Sequence, residues 1–170
     1  MRWIENINNP SLVGPLVIPG LFQAGATATA AEGDLLERTA DTNTKFVPID
    51  SDHDATVTKL AIAKHPIASG DLLGFYDVIA PREGDVFEAD LAAASAVAPE
   101  QALYYSSPTA VATSGSNILG YAYFGPNHPG IQGRLSQGQL GDKGVTYRST
   151  NKVRFIFRKA VSILSLYERA

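Results

Sequence analysis

From Gly33 to Phe124 the chain is broken into short apolar runs by turn formers, and that punctuation leaves no room for long helices. Within GDVFEADLAAASAVAPEQALYYSSPTAVATSGSNILGYAYF (84–124) the runs are Val86–Leu91, Ala102–Tyr105 and Ile118–Phe124. In the first, Phe87, Ala89 and Leu91 share one parity and Glu88 and Asp90 the other. A period of two marks a strand with one dry and one wet face. The separators Ala98-Pro99, Ser107-Pro108 and Ser114-Gly115-Ser116 suit turns and continue neither a helix nor a ladder. The stretch predicts an antiparallel meander.

The same rhythm holds upstream. Asp34-Leu35-Leu36, Lys45-Phe46-Val47-Pro48, Val57–Ala63 and Leu72–Val78 are short strand candidates between Gly, Pro and Asp turns. Strands spaced about ten residues apart predict a mainly β fold, an antiparallel sandwich or a small barrel. A faint internal echo runs through it. The runs at 34–36, 45–48 and 59–63 have the order short, short, longer, and those at 102–105, 109–113 and 118–123 repeat it, which raises an internal duplication.

Both ends depart from this pattern. Residues 1–25 carry Pro10, Pro15 and Pro19, which exclude a helix and favour extended backbone. The segment is also too apolar to be a solvated linker. Trp3, Ile4, Leu16, Val17 and Ile18 are the candidate partner-binding residues of an extended arm lying on its own domain or on a neighbour. Residues 26–170 form the single β-rich domain. Within it 125–150 is a glycine-rich loop without hydrophobic period, and 152–158 is a closing strand. Val153, Phe155 and Phe157 should face inward there, with Arg154 and Arg158 outward. The last stretch, Ala160–Ala170, fits a helical stripe and a continued strand equally.

Charge is ordinary in total, net −3, but unevenly placed. Residues 1–100 hold six basic and fifteen acidic side chains, a net of −9, and residues 101–170 hold eight and two, a net of +6. Two readings follow: pairing within the fold, or docking of Arg148, Lys152, Arg154, Arg158 and Lys159 on an acidic neighbour. Arg154 and Arg158 are the candidate contacts of that kind. The absence of cysteine excludes disulfides and thiolate metal sites. No apolar run approaches the roughly 20 residues of a membrane span, and the N-terminus lacks the apolar core of a signal peptide. The expectation is a soluble protein made in the cytoplasm, without a membrane or nucleic-acid partner.

Catalytic and metal motifs fail on inspection. Asp50-Ser51-Asp52-His53-Asp54 opens like a calcium loop, but Ala55 stands where Gly is needed and Ala61 where Glu is needed. His53, His65 and His128 are isolated beside turn formers, and no GxSxG elbow or phosphate loop exists. Tyr104, Tyr105, Tyr121, Tyr123 and Phe124 suit either cross-strand pairing or a stacking face for sugars or bases. No catalytic, cofactor or metal residue is assigned.

Ala26–Leu36 (ATATAAEGDLL), Asp85–Leu91 (DVFEADL), Gln101–Tyr105 (QALYY) and Asn117–Tyr123 (NILGYAY), closed by Val153–Phe157, resemble the small β-rich decoration or cement proteins of tailed bacteriophage heads. The resemblance spans a little over half the chain. It implies a non-enzymatic virion protein that binds the major capsid protein and itself, as a homotrimer, and stabilises the shell. The proline-punctuated N-terminus and the 125–150 loop exceed what a minimal member needs. Two alternatives stand beside it: a carbohydrate-binding β-sandwich using the tyrosines, and a metal-dependent or enzymatic domain centred on Asp50–Asp54.

Overall fold

The computed structural model describes residues 1–22, 29–39, 45–49, 58–67, 74–92, 97–123 and 152–166. The acidic turn 50–54, the loop 125–150 with Arg148, and His53 and His128 lie outside the described residues.

The chain is mainly β, as its punctuation predicts. Strands β2 (Val17–Phe22), β3 (Leu35–Thr39), β4 (Lys45–Pro48), β5 (Thr58–Ala63) and β6 (Gly74–Ile79) close into a barrel of order β2-β4-β3-β5-β6. A second group comprises β7 (Asp85–Leu91), β8 (Ala102–Tyr105), β9 (Ala110–Ala112), β10 (Ile118–Ala122) and β11 (Lys152–Phe157). It forms the order β7-β11-β10-β8-β9, and a further β7–β9 pairing joins its two ends into a ring. Strand β1 (Arg2–Asn6) adds to the outer edge of β7. The expected antiparallel pattern holds at every pairing except β2–β4 and β7–β9, the parallel closures that turn each sheet into a ring.

The two rings are the same design used twice. The first strand of each pairs in parallel with the third and antiparallel with the fifth; the second pairs with the third and fourth, and the fourth with the fifth. Registers agree as well. The cross-strand row Ala63–Val78–Ile18 of the first ring corresponds to Ala122–Phe155–Phe87 of the second. The row Leu35–Ile62–Ile79–Val17 corresponds likewise to Ala102–Tyr121–Ile156–Val86. The echo between 34–63 and 102–123 thus coincides with a repeat of one five-strand topology.

A five-strand ring has little interior, so large side chains must meet small ones. In the first barrel Phe46 lies over Gly20, where a Cβ would come within 2.9 Å of its ring, with Ala61, Ala63 and Val78 around it. In the second, Phe87, Phe155 and Phe157 cluster with centroids 5.8–6.4 Å apart. Gly120 makes room for them. A Cβ there would collide with the backbone carbonyl of Ile156 and sit 2.6 Å from the Phe155 ring. Because backbone cannot yield as a side-chain tip can, Gly120→Ala should lower stability at the upper end of about 1–3 kcal/mol. Denaturant unfolding measures this, and an unchanged midpoint would show that the ring relaxes around the methyl.

The N-terminal segment is extended, as three prolines require, but the structure uses it as sheet. Leu16 C=O accepts from Ala80 N–H, so alternate residues from 16 to 22 bond to β6. The Pro19 nitrogen therefore turns to the other edge, where β4 pairs only with Leu21 and Phe22, and its missing N–H costs no ladder bond. The division into an arm at 1–25 and a body from 26 gives way to strands shared between both barrels. Beyond β11 the chain forms two 3-10 turns, Lys159–Val161 and Ile163–Leu166, in place of either a helix or a strand.

One core joins the barrels. The outer face of the first, Leu35, Leu60, Ile62 and Ile79, merges with the interior of the second, and Met1, Trp3 and Tyr105 pack against the seam. Leu35 N–H donates to Pro108 C=O, and Ser162 forms a parallel bridge with Leu60. Ile163 then enters the first barrel's cluster with Leu36 and Phe46.

Candidate functional site

The candidate surface starts from a buried carboxylate. Asp85 opens β7 with no solvent exposure and would be costly there without partners. It accepts from Trp3 Nε1 at 3.0 Å, Asn6 Nδ2 at 2.9 Å and Arg82 N–H at 2.8 Å, and the Arg82 guanidinium lies 3.3 Å away. Arg82 Nη2 also donates to Gly14 C=O at 2.7 Å. Asn6 Oδ1 accepts from Asn8 and Asn9 N–H, and Asn6 Nδ2 reaches Glu83 C=O. One hub thus fixes β1, the 82–85 turn and both ends of the 7–16 loop.

That loop presents apolar side chains to solvent. Val13 is fully exposed, and Ile7 and Val17 at its two ends are 37% and 38% exposed. No ladder runs through it; the hub holds both ends, and Asn9 turns the middle, its C=O accepting from Leu12 N–H and its Oδ1 from Ser11 N–H. A shallow groove of about 350 Å³ lined by Trp3, Pro15, Lys64 and Ile79 lies beside it.

The seven sequence-derived contact residues separate into distinct environments. Trp3 is held by Asp85 and packs on the common core, and Ile4 sits at the irregularity in the β1–β7 register. Leu16 and Ile18 pack against the first barrel's interior, so their apolar surface is largely spent within the fold. Val17 alone of the apolar five is exposed.

Arg154 stands on the outward parity of β11, as expected, but meets an acidic side chain there. Arg154 keeps only 15% of its side chain exposed, with Nε 3.2 Å from Glu88 Oε2. Glu88 also takes Arg2 at 2.9 Å. Arg158 is half-buried and its N–H donates to Leu119 C=O. Lys152 pairs with Asp90 at 2.9 Å and Lys159 with Glu83 at 3.6 Å. Because basic β11 lies beside acidic β7, the uneven charge of the two sequence segments is met inside the fold at these positions. The exposed pairs among them contribute little stability.

Sequence reasoning counted Val13 among the apolar residues of the N-terminal segment but left it out of the candidate contacts, and it missed the hub. The hint for Val13 was present: Leu12-Val13-Gly14 lies between Pro10 and Pro15, with too few residues to fold back over itself. The role of Asp85 depends on Trp3 and Asn6, remote in sequence, and had no local signal.

The tyrosines divide too. Tyr105 packs on the seam, its hydroxyl 3.5 Å from Ile49 C=O. Tyr121 is 42% exposed on the outside of β10. Burial, with Glu5 as the lesser cause, pushes the Tyr123 phenol above its usual range. Among the described residues no three His, Asp or Glu side chains gather as metal ligands, and His65 is exposed, 3.9 Å from Asp77.

No family model, curated protein or solved structure matches the chain.

Proposed function

We propose that this chain is a non-enzymatic structural protein of a bacteriophage head that binds the capsid lattice and associates with itself. In this reading it is made in the host cytoplasm and carried in the virion. The supporting observation is the 7–16 loop: an apolar tip at Val13 on a loop whose ends are held by Asp85, Asn6 and Arg82. Such a tip loses little conformational freedom on docking, because the hub and Asn9 have already ordered the loop. A protein that binds only the assembled shell stabilises it by mass action. The partner class in this reading, the major capsid protein, is what the resemblance to head decoration proteins implies.

The test is cosedimentation with bare capsids. Wild type should pellet with shells and raise their resistance to heat. Val13→Asp should leave the circular dichroism spectrum unchanged and weaken binding. Losing a buried valine, about 1.5–3 kcal/mol, corresponds to roughly tenfold to a hundredfold. Wild-type protein that stays in the supernatant would overturn the reading, and a Val13→Asp protein that pellets normally would remove the loop from it.

A further inference from the structure

The repeated topology shows one strand edge in two settings. Strands β2 and β7 open the two rings, and their registers align Val17, Ile18 and Pro19 with Val86, Phe87 and Glu88. The parallel closures agree, since Leu21 meets Lys45 as Asp90 meets Ala110. Ahead of that closure the edge of β7 is covered by β1, antiparallel, with Glu5 opposite Val86, Trp3 opposite Phe87 and Arg2 opposite Glu88. Among the described residues no strand covers the same edge of β2. Exposure follows the difference. Val86 and Phe87 are both 0% exposed, whereas Val17 is 38% exposed, Ile18 is half-buried and Pro19 is exposed.

We infer that the open edge of β2 takes an extended segment of the partner protein as an added strand, antiparallel, as β7 takes β1. The partner is the capsid subunit proposed above, and the inference rests on that reading for it. The edge also continues the surface that begins at Val13. Three observations select such an occupant. The protein itself shows what lies on this kind of edge: a short extended strand. Residues 16, 18, 20 and 22 bond to β6, so the N–H and C=O of Val17 point outward, where a ladder would form. Pro19 stands at the position of Glu88 and offers no N–H, which keeps two copies from zipping edge to edge while leaving the donor and acceptor of Val17. The register also states the chemistry. Leu16 stands where Asp85 stands, so the carboxylate that takes the Trp3 indole has an apolar counterpart here. The incoming segment therefore brings an apolar side chain opposite Ile18 and needs no hydrogen-bond donor on it.

Full-length protein is cosedimented with bare capsids, comparing wild type, Val17→Pro and Val17→Ile. The proline removes only the outward N–H and takes no bond from β6, so the variant should keep the wild-type circular dichroism spectrum. Its binding to shells should weaken roughly tenfold, from the lost donor and the ring set against the incoming strand. Val17→Ile keeps the N–H and an apolar side chain and should bind like wild type. Amide exchange of wild type gives a second measurement, which decides the matter if Val17→Pro fails to fold. The Val17 amide should exchange quickly in free protein and slowly on the shell, while Ile18, bonded to β6, stays protected in both. Wild type that pellets while Val17→Pro pellets equally, or whose Val17 exchange is unchanged on the shell, overturns strand addition and leaves the capsid reading standing. Wild type that stays in the supernatant overturns both.

Discussion

A chain lacking residues 1–22 should fail to fold, giving neither the sheet signature in circular dichroism nor a cooperative unfolding transition. Strand β2 pairs with β6 along all six residues and with β4 at Leu21 and Phe22, so its removal opens the first barrel. It also takes Ile18 from the interior that Phe46 and Val78 fill. The same deletion removes β1 and Trp3 from the second barrel's seam. Each buried apolar side chain lost contributes about 1.5–3 kcal/mol, and a domain has only about 5–15 kcal/mol of net stability. Removing residues 1–6 alone should give a weakened but folded protein, because both rings keep their staves. A 1–22 deletion that still unfolds cooperatively near the wild-type midpoint would show that these strands are dispensable.

Asp85→Ala should cost about 3–5 kcal/mol, the range for removing one partner of a buried ion pair. Arg82 would lose its counter-ion, while Trp3 Nε1 and Asn6 Nδ2 would each lose an acceptor. Urea unfolding measures the loss. Asp85→Asn keeps one oxygen of similar shape and should fall between Ala and wild type. The deficit should be accompanied by increased proteolysis in the 7–16 loop, since the hub holds its ends. Equal stability of Asp85→Ala and wild type would mean that water replaces the carboxylate at no cost.

Much of the barrel architecture was legible because alternation survives in the sequence. Phe87, Ala89 and Leu91 all face the core that their parity predicts, as do Val153, Phe155 and Phe157. Ring closure was not legible. It depends on the short parallel contacts Leu21–Lys45 and Asp90–Ala110, between segments with no local signal for pairing. The proline rule identified extended backbone at 15–19 but could not show which edge Pro19 faced, and that edge decides between arm and stave. For the candidate surface, parity placed Arg154 outside the barrel, yet outside β11 meant beside Glu88. Exposure is a property of neighbours, and neighbours arrive through topology.

The way the ends cross between barrels bears on synthesis. The N-terminal strand belongs to the second barrel, while Ile163, near the other end, belongs to the interior of the first. A ribosome therefore releases the strands of the first barrel long before the residue that completes its core. It also releases β1 about eighty residues before β7, the strand on which it lies. Neither half can finish alone, and contacts this far apart in sequence make for a slow search. The nascent chain carries an unattached β1 until β7 has emerged, and a first barrel without Ile163 for about eighty residues more, and those intervals are when a pairing partner from another chain would be most easily mistaken for its own.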